Sequence, residues 1–205
     1  PALLRPRLRP EGAPDAVLAR LGYQPGDVTT IIVTHYHADH ISTLARFPQA
    51  RIIAHGPTYQ RLIRRGRLAN LHRGIFPELL PADMAERIVD VAALPEVEAP
   101  LGLGPARDIL GDGALLAIDL PGHAEGHFGV CFTTLARPLL YAVDAEWLMA
   151  ALQSGRSPGF PASRVAEDAS AQAISAQKIV AFAQAGGEVL LCHDPAPSPY
   201  DMEPF

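Results

Sequence analysis

The stretch THYHADH, residues 34 to 40, constrains this chain more than any other part of its sequence. It places three histidines and one aspartate within seven positions, directly after the apolar run Ile31-Ile32-Val33. The segment Val28 to Thr34 is rich in β-branched residues and follows a Pro-Gly-Asp turn, which is typical of a buried strand. A buried strand that ends in metal-ligand side chains indicates a site at its carboxyl end, where sites in α/β sheets are usually built.

Three further predicted strands are also followed by ligand-type residues. These are Ala114 to Leu120 before His123, Leu139 to Val143 before Asp144, and Val189 to Cys192 before His193. Because four strands deliver histidine or aspartate at their carboxyl ends, we expect these side chains to meet at one edge of the structure.

The order of the residues within the first stretch suggests two metal positions. His35 and His37 are two apart on an extended segment, so their side chains can point toward the same ion. The chain then turns, and Asp39 and His40 can face a second position. Imidazole and carboxylate donors without thiolate favour Zn²⁺, and they leave Fe, Mn and Co open.

The remaining patterns predict one α/β domain that covers residues 1–205, with a helical insertion or lid at about 57–110. A chain of 205 residues falls in the usual size range of a single domain. Two further strands are predicted at Arg51 to Ala54 and Phe128 to Thr134. Helices are predicted at Asp15 to Leu21, Ser42 to Phe47, Thr58 to Arg65, Asp83 to Ala92 and Glu167 to Ala185.

Composition limits the classes of partner. A net charge of −5 provides no basic surface for a nucleic-acid backbone, and no apolar run approaches the ~20 residues of a membrane span. Cys131 and Cys192 are far apart and form no CxxC pair, so no disulfide framework is indicated. We therefore expect a cytoplasmic protein that acts on a small molecule and binds neither nucleic acid nor membrane.

Four motifs, in order along the chain, resemble the metallo-β-lactamase superfamily and more closely its lactonase-like hydrolase branch. The motifs are H-x-H-x-D-H at residues 35–40, PGHAEGH at 121–127, the aspartate of LLYAVDAEW at Asp144, and the histidine of LLCHDP at His193. The resemblance runs from about Asp27 to Asp194. It implies an αββα sandwich of two mixed β-sheets flanked by helices.

The resemblance also implies the ligands of two divalent metal ions, with zinc the first expectation. One ion would be held by His35, His37 and His123, the other by Asp39, His40 and His193, and Asp144 would bridge both. Asp39 and Asp144 are the expected catalytic residues. His127 has no ion in this scheme, and we expect it to orient a ligand or loop by a hydrogen bond. His55 and His72 are expected to be structural or surface residues.

The implied function is metal-dependent hydrolysis of an ester or lactone bond, with a metal-bridging hydroxide as the nucleophile and Asp39 passing a proton to the leaving group. Apolar residues are expected to form a wall for a hydrophobic substrate tail: Tyr59, Phe76, Leu79, Leu80, Met84, Trp147 and Phe160. Four arginines could instead meet a substrate anion, although a solvated helix face is the commoner explanation: Arg61, Arg64, Arg65 and Arg67.

The chain departs from the family pattern at three places. Cys192 stands where the family usually has glycine, and we expect a small packed residue there. Trp147 stands where acyl-homoserine lactonases carry a tyrosine, and an indole has no hydroxyl to donate to a carbonyl. The first sheet of the superfamily should begin before residue 1. We therefore expect N-terminal strands to be missing and a homo-oligomer or a companion chain to supply them.

Two other functions are compatible with the opening motif. A mononuclear iron enzyme or thioester-acting relative, similar to persulfide dioxygenases or glyoxalase II, would use the same first histidines. A binding protein on an inactive hydrolase scaffold is the non-enzymatic alternative, and the complete ligand set argues against it.

Overall fold

A computed structural model of the chain describes residues 12–154 and 166–200, and the structural statements below refer to these residues. The helices are α1 (Pro14–Arg20), α2 (Ala38–Ile41), α3 (Gly56–Arg64), α4 (Arg67–Leu71), α5 (Met84–Arg87), α6 (Met149–Ser154) and α7 (Ala169–Gln184). The strands are β1 (Thr30–Ile32), β2 (Arg51–Ala54), β3 (Ile88–Asp90), β4 (Glu96–Ala99), β5 (Gly104–Asp108), β6 (Leu115–Asp119), β7 (Phe128–Phe132), β8 (Leu139–Val143) and β9 (Glu188–Leu191).

The described strands form two sheets of different kinds. The first sheet has three parallel strands in the order β1-β2-β3. The second has six strands in the order β4-β5-β6-β7-β8-β9, antiparallel except for the parallel pair β8 and β9. The second sheet supplies the larger surface against which the rest of the molecule packs.

The period of two along each strand separates the core into layers. In β2, Ile52 packs with the helices on the outer side of the first sheet, whereas its neighbour Ile53 faces the second sheet. In β6, Ala117 faces the first sheet, whereas Ile118 packs toward α7 with Phe182. These alternating contacts produce helix, sheet, sheet and helix layers, and the predicted αββα sandwich is confirmed.

Helix α7 is the longest described helix and covers the outer face of the second sheet. Its N-terminus is capped by Asp168, whose carboxylate accepts the backbone N–H groups of Ser170 and Ala171. Its buried side includes Ile179 and Phe182. No helix in the described part of the chain is long and apolar enough to cross a membrane.

The segment 57–110 is less helical than predicted. The predicted helix at Asp83 to Ala92 is a four-residue helix, α5, followed directly by β3. Residues Ile88 and Val89 pair in parallel with Ile52 and Ile53 of β2, so strand pairing overrides the local helical pattern. Strands β4 and β5 also lie within this segment and extend the second sheet. A single domain over 1–205 stays a prediction.

The helix predicted at Ser42 to Phe47 was also wrong in its bounds. Helix α2 begins at Ala38 and ends at Ile41, and a 3₁₀ turn at Leu44–Arg46 follows. The HxHxDH motif therefore spans the transition from extended chain to helix. Asp39 and His40 lie on the first turns of this helix, and His37 precedes it.

Candidate metal centre

The ends of β1, β6, β8 and β9 meet at one edge of the sandwich. Strands β8 and β9 are parallel, with Leu140 beside Val189, so Asp144 and His193 leave the second sheet at the same edge. The first sheet approaches this edge through Thr34, whose carbonyl accepts the backbone N–H of Phe128 in β7. The residues that follow each strand are thereby placed side by side.

A first group of donors consists of His35, His37, His123 and Asp144. One ligand atom from each lies within 4.8 Å of the others. The Nδ1 atom of His37 is 3.1 Å from Nε2 of His35 and 3.0 Å from Nε2 of His123. Ring nitrogens with lone pairs converge here on one point, which is the arrangement that a bound cation stabilises.

The first group is buried and its imidazoles are neutral. His35 is 1% exposed and His123 is 3% exposed. Burial, together with the neighbouring imidazoles, lowers the pKa of His35 well below its usual value. Burial is also the main cause that lowers the pKa of His123 to about 3, and it lowers the pKa of His37. Neutral imidazoles have the free lone pair that a metal ligand requires.

A second group of donors consists of His40, Asp144, Cys192 and His193, whose ligand atoms also lie within 4.8 Å of one another. The predicted ligand Asp39 lies at the rim of this group. Its Oδ2 atom is 3.5 Å from Nε2 of both His40 and His193. Burial raises the pKa of the Cys192 thiol, so the metal-free protein holds it protonated.

The second group differs from the first in charge. Burial alone would lower the pKa of His40, but its hydrogen bond with Asp144 and the charges of Asp144 and Asp39 raise that pKa above its usual value. Burial would raise the pKa of Asp144, but the hydrogen bond and charge of His40 and the charges of His123 and His193 lower it. Asp144 is therefore ionised, and His40 is its principal partner in the metal-free protein.

Asp144 stands between the two groups. Its Oδ2 atom is 3.4 Å from Nε2 of His35, 3.0 Å from that of His40 and 3.5 Å from that of His123. Its Oδ1 atom points the other way, 3.4 Å from Nε2 of His193. Oδ1 is buried and has no hydrogen-bond partner within the described residues. An orphaned, buried carboxylate oxygen beside converging imidazoles fits a site built for cations.

The backbone before Asp144 is strained. Val143 has a φ of +56°, in the left-handed region that β-branched residues rarely adopt. Such a conformation costs about 1–3 kcal/mol and persists only where the surroundings impose it. Here β8 is irregular between Tyr141 and Val143, and the carbonyl of Val143 accepts the N–H of Cys192 at 3.0 Å. The strained residue turns Asp144 into the space between the two groups.

His127 contacts the backbone of Asp144, as expected for a residue that orients a ligand by a hydrogen bond. Its side chain is buried, and its Nδ1–H donates to the carbonyl of Leu120 at 2.8 Å. This bond leaves Nε2 as the acceptor that faces the backbone N–H of Asp144 at 3.4 Å. Burial lowers the pKa of His127 to about 4, so the ring stays neutral and keeps this acceptor.

Gly74 fixes the position of His37. Its carbonyl accepts the N–H of Ala38 at 3.1 Å, and its φ of +68° favours glycine. A Cβ atom at this position would lie 3.3 Å from Cδ2 of the His37 ring. The loop from α4 to Gly74 therefore packs directly on one wall of the metal centre.

The two donor groups open into a cleft of about 870 Å³. Besides ligand candidates, it is lined by Ala38, His72, Arg73, Gly74, Phe76, Trp147, Ala166 and Glu167. Arg73 and Glu167 form an ion pair of 3.1 Å across the rim. This pair joins the loop after α4 to the segment before α7.

The predicted apolar wall is only partly present. Phe76 and Trp147 line the cleft, whereas four of the predicted residues pack in the outer core of the first sheet: Tyr59, Leu79, Leu80 and Met84. Phe160 lies outside the described residues. These four side chains were misassigned because an apolar residue on a short helix looks the same in sequence whether it faces core or cleft.

Three of the four arginines singled out in the sequence are engaged in ion pairs outside the cleft. Arg61 and Arg65 both pair with Glu125, and Arg67 pairs with Glu78 at 2.7 Å. Since none of these three side chains lines the cleft, the expectation of a substrate anion at this helix finds no support. The pairs to Glu125 instead hold α3 against the PGHAEGH loop.

His55 also belongs to this support rather than to the metal centre. Its Nδ1 atom is 2.7 Å from Oγ1 of Thr58, and Thr58 in turn donates to the carbonyl of Glu125. The structural role expected for His55 agrees with these contacts. His72 is exposed, which agrees with the surface position expected for it, and it also lines the cleft.

Two residues near the centre were not identified from the sequence. Asp194 accepts the N–H of Met149 at the start of α6, and this bond positions the segment that includes Trp147. Cys192 was expected to be a small packed residue, yet its sulfur belongs to the second donor group. The only sequence signal for Cys192 was a thiol where glycine was expected.

Comparison with known proteins identifies relatives of this chain. A family model described as the metallo-beta-lactamase superfamily matches residues 3–173. The N-acyl homoserine lactonase AttM of Azorhizobium caulinodans is 28% identical over 93% of this chain and 67% of its own length. AttM of Rhizobium johnstonii is 30% identical over 91% of this chain and 65% of its own. The chain thus spans about two thirds of the length of these relatives.

Solved structures show the same fold at low identity. A mutant of B. thuringiensis AiiA with N-decanoyl-L-homoserine bound at its active site matches with a TM-score of 0.65 and 18% identity, over 93% of this chain and 65% of that chain. AidC, a dizinc quorum-quenching lactonase in complex with a product, matches with a TM-score of 0.63 and 18% identity, over 88% of this chain and 62% of that chain.

Proposed function

Because this chain belongs to the metallo-beta-lactamase superfamily, we propose that it is a dinuclear metal-dependent hydrolase that cleaves a lactone or ester bond of a small, partly apolar substrate. The observation that carries this proposal is the position of Asp144 between two groups of donor side chains. The relatives named as N-acyl homoserine lactonases make an acyl-homoserine lactone the first substrate to test.

Each donor group would hold one ion. His35, His37 and His123 would hold the first, Asp39, His40 and His193 the second, and the two oxygens of Asp144 would reach both. When bound, two divalent ions, zinc in the first instance, would lower the pKa of a water molecule toward neutral pH and would supply positive charge to the oxygen that becomes negative in the reaction.

Residues of the chain hold the metal ligands in position and transfer the proton to the leaving group. His127 holds the backbone of Asp144, so the carboxylate keeps its place between the groups. Asp39 lines the cleft with a side chain that is 58% exposed, close to both substrate and solvent. We assign to the Asp39 carboxylate the proton that the leaving alkoxide takes up, because it can exchange that proton with water.

The cleft favours a neutral substrate with an apolar tail. Phe76 and Trp147 supply apolar surface beside the donors, and Trp147 offers no hydroxyl to the substrate. The one arginine among the described lining residues, Arg73, is already paired with Glu167. The described lining of the cleft therefore offers no unpaired arginine to a second anionic group of the substrate.

The test is a substrate panel run on metal-replete protein. It contains acyl-homoserine lactones with short and long tails, a simple lactone, an aryl ester, a thioester and a phosphodiester. We expect the highest kcat/KM on a lactone or ester, complete loss after chelation and recovery on adding zinc. One iron per chain with oxygen uptake, or a preference for the thioester, would instead favour the persulfide dioxygenase or glyoxalase II type of enzyme.

A further inference from the structure

The thiol of Cys192 lies beside the second donor group, where the ligand scheme drawn from the family has no role for it. Its Sγ atom is within 4.8 Å of ligand atoms of His40, Asp144 and His193. Asp39, which the scheme assigns to the same ion, is outside this close group and is mostly exposed. The tightest set of donors on this side therefore contains sulfur.

We propose that Cys192 is a thiolate ligand of the second metal ion, an inference that rests on the proposed dinuclear function. A cysteine near a histidine would not by itself define a ligand. The independent observation is Oδ1 of Asp144, which is buried, without a hydrogen-bond partner among the described residues, and directed toward His193. A ligand atom of His193 lies within 4.8 Å of the sulfur of Cys192. A cation at this place would satisfy that oxygen and the sulfur together.

The backbone explains how two consecutive residues can face one ion. Along a regular strand, Cys192 and His193 would point to opposite sides. Strand β9 ends at Leu191, and the chain bends at both following residues. The N–H of Cys192 still bonds to the carbonyl of Val143 at 3.0 Å, which ties the bend to the strained residue before Asp144.

A neighbouring phenol is placed to support a thiolate. Tyr141 and Cys192 line the same small cavity, and a phenol is a natural hydrogen-bond donor to a thiolate. Such a bond from outside the ligand set is the usual way in which a ligand is oriented and its charge is stabilised. On metal binding the thiol proton is released to solvent as the sulfur–metal bond forms, so charge and atoms balance.

A thiolate would change the metal preference of the second site. Sulfur is a soft donor that favours zinc or cobalt over manganese or magnesium. A site made only of imidazole and carboxylate discriminates less among these ions. The second position of this chain should therefore favour the softer ions.

Cobalt substitution tests the inference directly, because a thiolate bound to Co²⁺ gives an intense charge-transfer band in the near ultraviolet. The chain has two cysteines, and Cys131 is fully buried in the core, so Cys131→Ala is the matched control. We expect the band in two-cobalt wild-type protein and in Cys131→Ala, and its loss in Cys192→Ala. The affinity for the second cobalt should fall by at least ~10-fold in Cys192→Ala.

A second measurement needs no change at Cys192. In Cys131→Ala protein the only thiol is Cys192, and its rate of alkylation should fall sharply when the second equivalent of zinc is added. Two-cobalt wild-type protein that hydrolyses lactones without the sulfur band, and with an unprotected thiol, would overturn the inference and leave the proposed function intact. A chain that binds fewer than two ions would overturn both.

Discussion

The two donor groups share Asp144 but are built in different surroundings. In the first group, the side chains of His35 and His123 are 0% and 4% exposed. In the second group the side chain of His193 is 48% exposed, and that of Asp39, at the rim of the group, is 58% exposed. Similar ligand types are therefore packed in the protein interior in the first group and are open to solvent in the second.

This difference predicts an order of metal binding. The first group is held by strand ends and by packing against Gly74, so its donors lose little freedom when an ion binds. The second group lies on the four-residue helix α2 and on the bend after β9, and its donors must be ordered by the ion. We expect the first ion to be retained through purification and the second to exchange with added metal.

The largest effect is expected when Asp144, the residue that both groups share, is replaced. Asp144→Ala should lose the second ion and most of its kcat, because each ion loses a ligand and the repulsion between the ions is less well screened. The decrease in kcat should be well over the 10–100-fold that loss of an outer hydrogen-bond partner causes. Metal analysis and lactone hydrolysis on one preparation check this.

Asp168→Ala is the matched control, since that aspartate caps α7 and should cost only ~1 kcal/mol of stability with both ions kept. Asp144→Ala protein that keeps two ions and wild-type turnover would show that Asp144 is not the bridge.

The next largest effects are expected from replacing one histidine in each donor group. His35→Ala should reduce binding of both ions, because the buried pocket loses a donor and Asp144 loses a partner at 3.4 Å. His193→Ala should leave one ion bound and lower only the second affinity. The measurement is metal stoichiometry after dialysis, by elemental analysis. Equal losses in the two variants would contradict the difference between a buried and an exposed group.

A smaller effect is expected at His127. His127→Ala should weaken retention of metal by roughly 10–100-fold, because the backbone of Asp144 loses its partner while every ligand remains. His55→Ala is the control, since that histidine bonds to Thr58 outside both donor groups. Titration with a chelator gives the affinities. An unchanged affinity in His127→Ala would show that the strained turn at Val143 positions Asp144 without help.

The mildest effect concerns pH. The pKa of His40 is raised, so acidification protonates it before the first group, in which the pKa values of His35, His37 and His123 are lowered. Protons compete with metal at the second group first. Metal-free protein should take up about two zinc ions at pH 7.5 and about one near pH 6 by calorimetry. Loss of both uptake events at the same pH would contradict this order.

Much of the fold was accessible from the sequence because local and tertiary preferences agree. Strand β2 was predicted at its observed bounds, and the predicted Leu139 to Val143 matches β8. In both, β-branched or apolar runs are bounded by turn residues. That the seven predicted residues bind metal stays a prediction. Each follows a recognisable strand, and the structure brings their side chains to one edge of the sandwich.

The remainder depends on contacts between distant parts of the chain. Strand β3 forms because β2 lies beside it, which the sequence near Ile88 does not reveal. The positive φ of Val143 could not be predicted, because no glycine occupies that position. The proximity of Cys192 to His40 depends on the bend after β9, and a sequence pattern records neither the bend nor the distance.

The donors come from both sheets, His35 after β1 of the first and His123, Asp144 and His193 after strands of the second. A bound ion therefore closes a loop between early and late parts of the chain, as a covalent cross-link would. Ions that bind the native state and not the unfolded chain stabilise it by mass action, by about 2.7 kcal/mol each when the free ion is at 100 times its Kd. Metal supply would then control how much folded protein exists as well as how active it is.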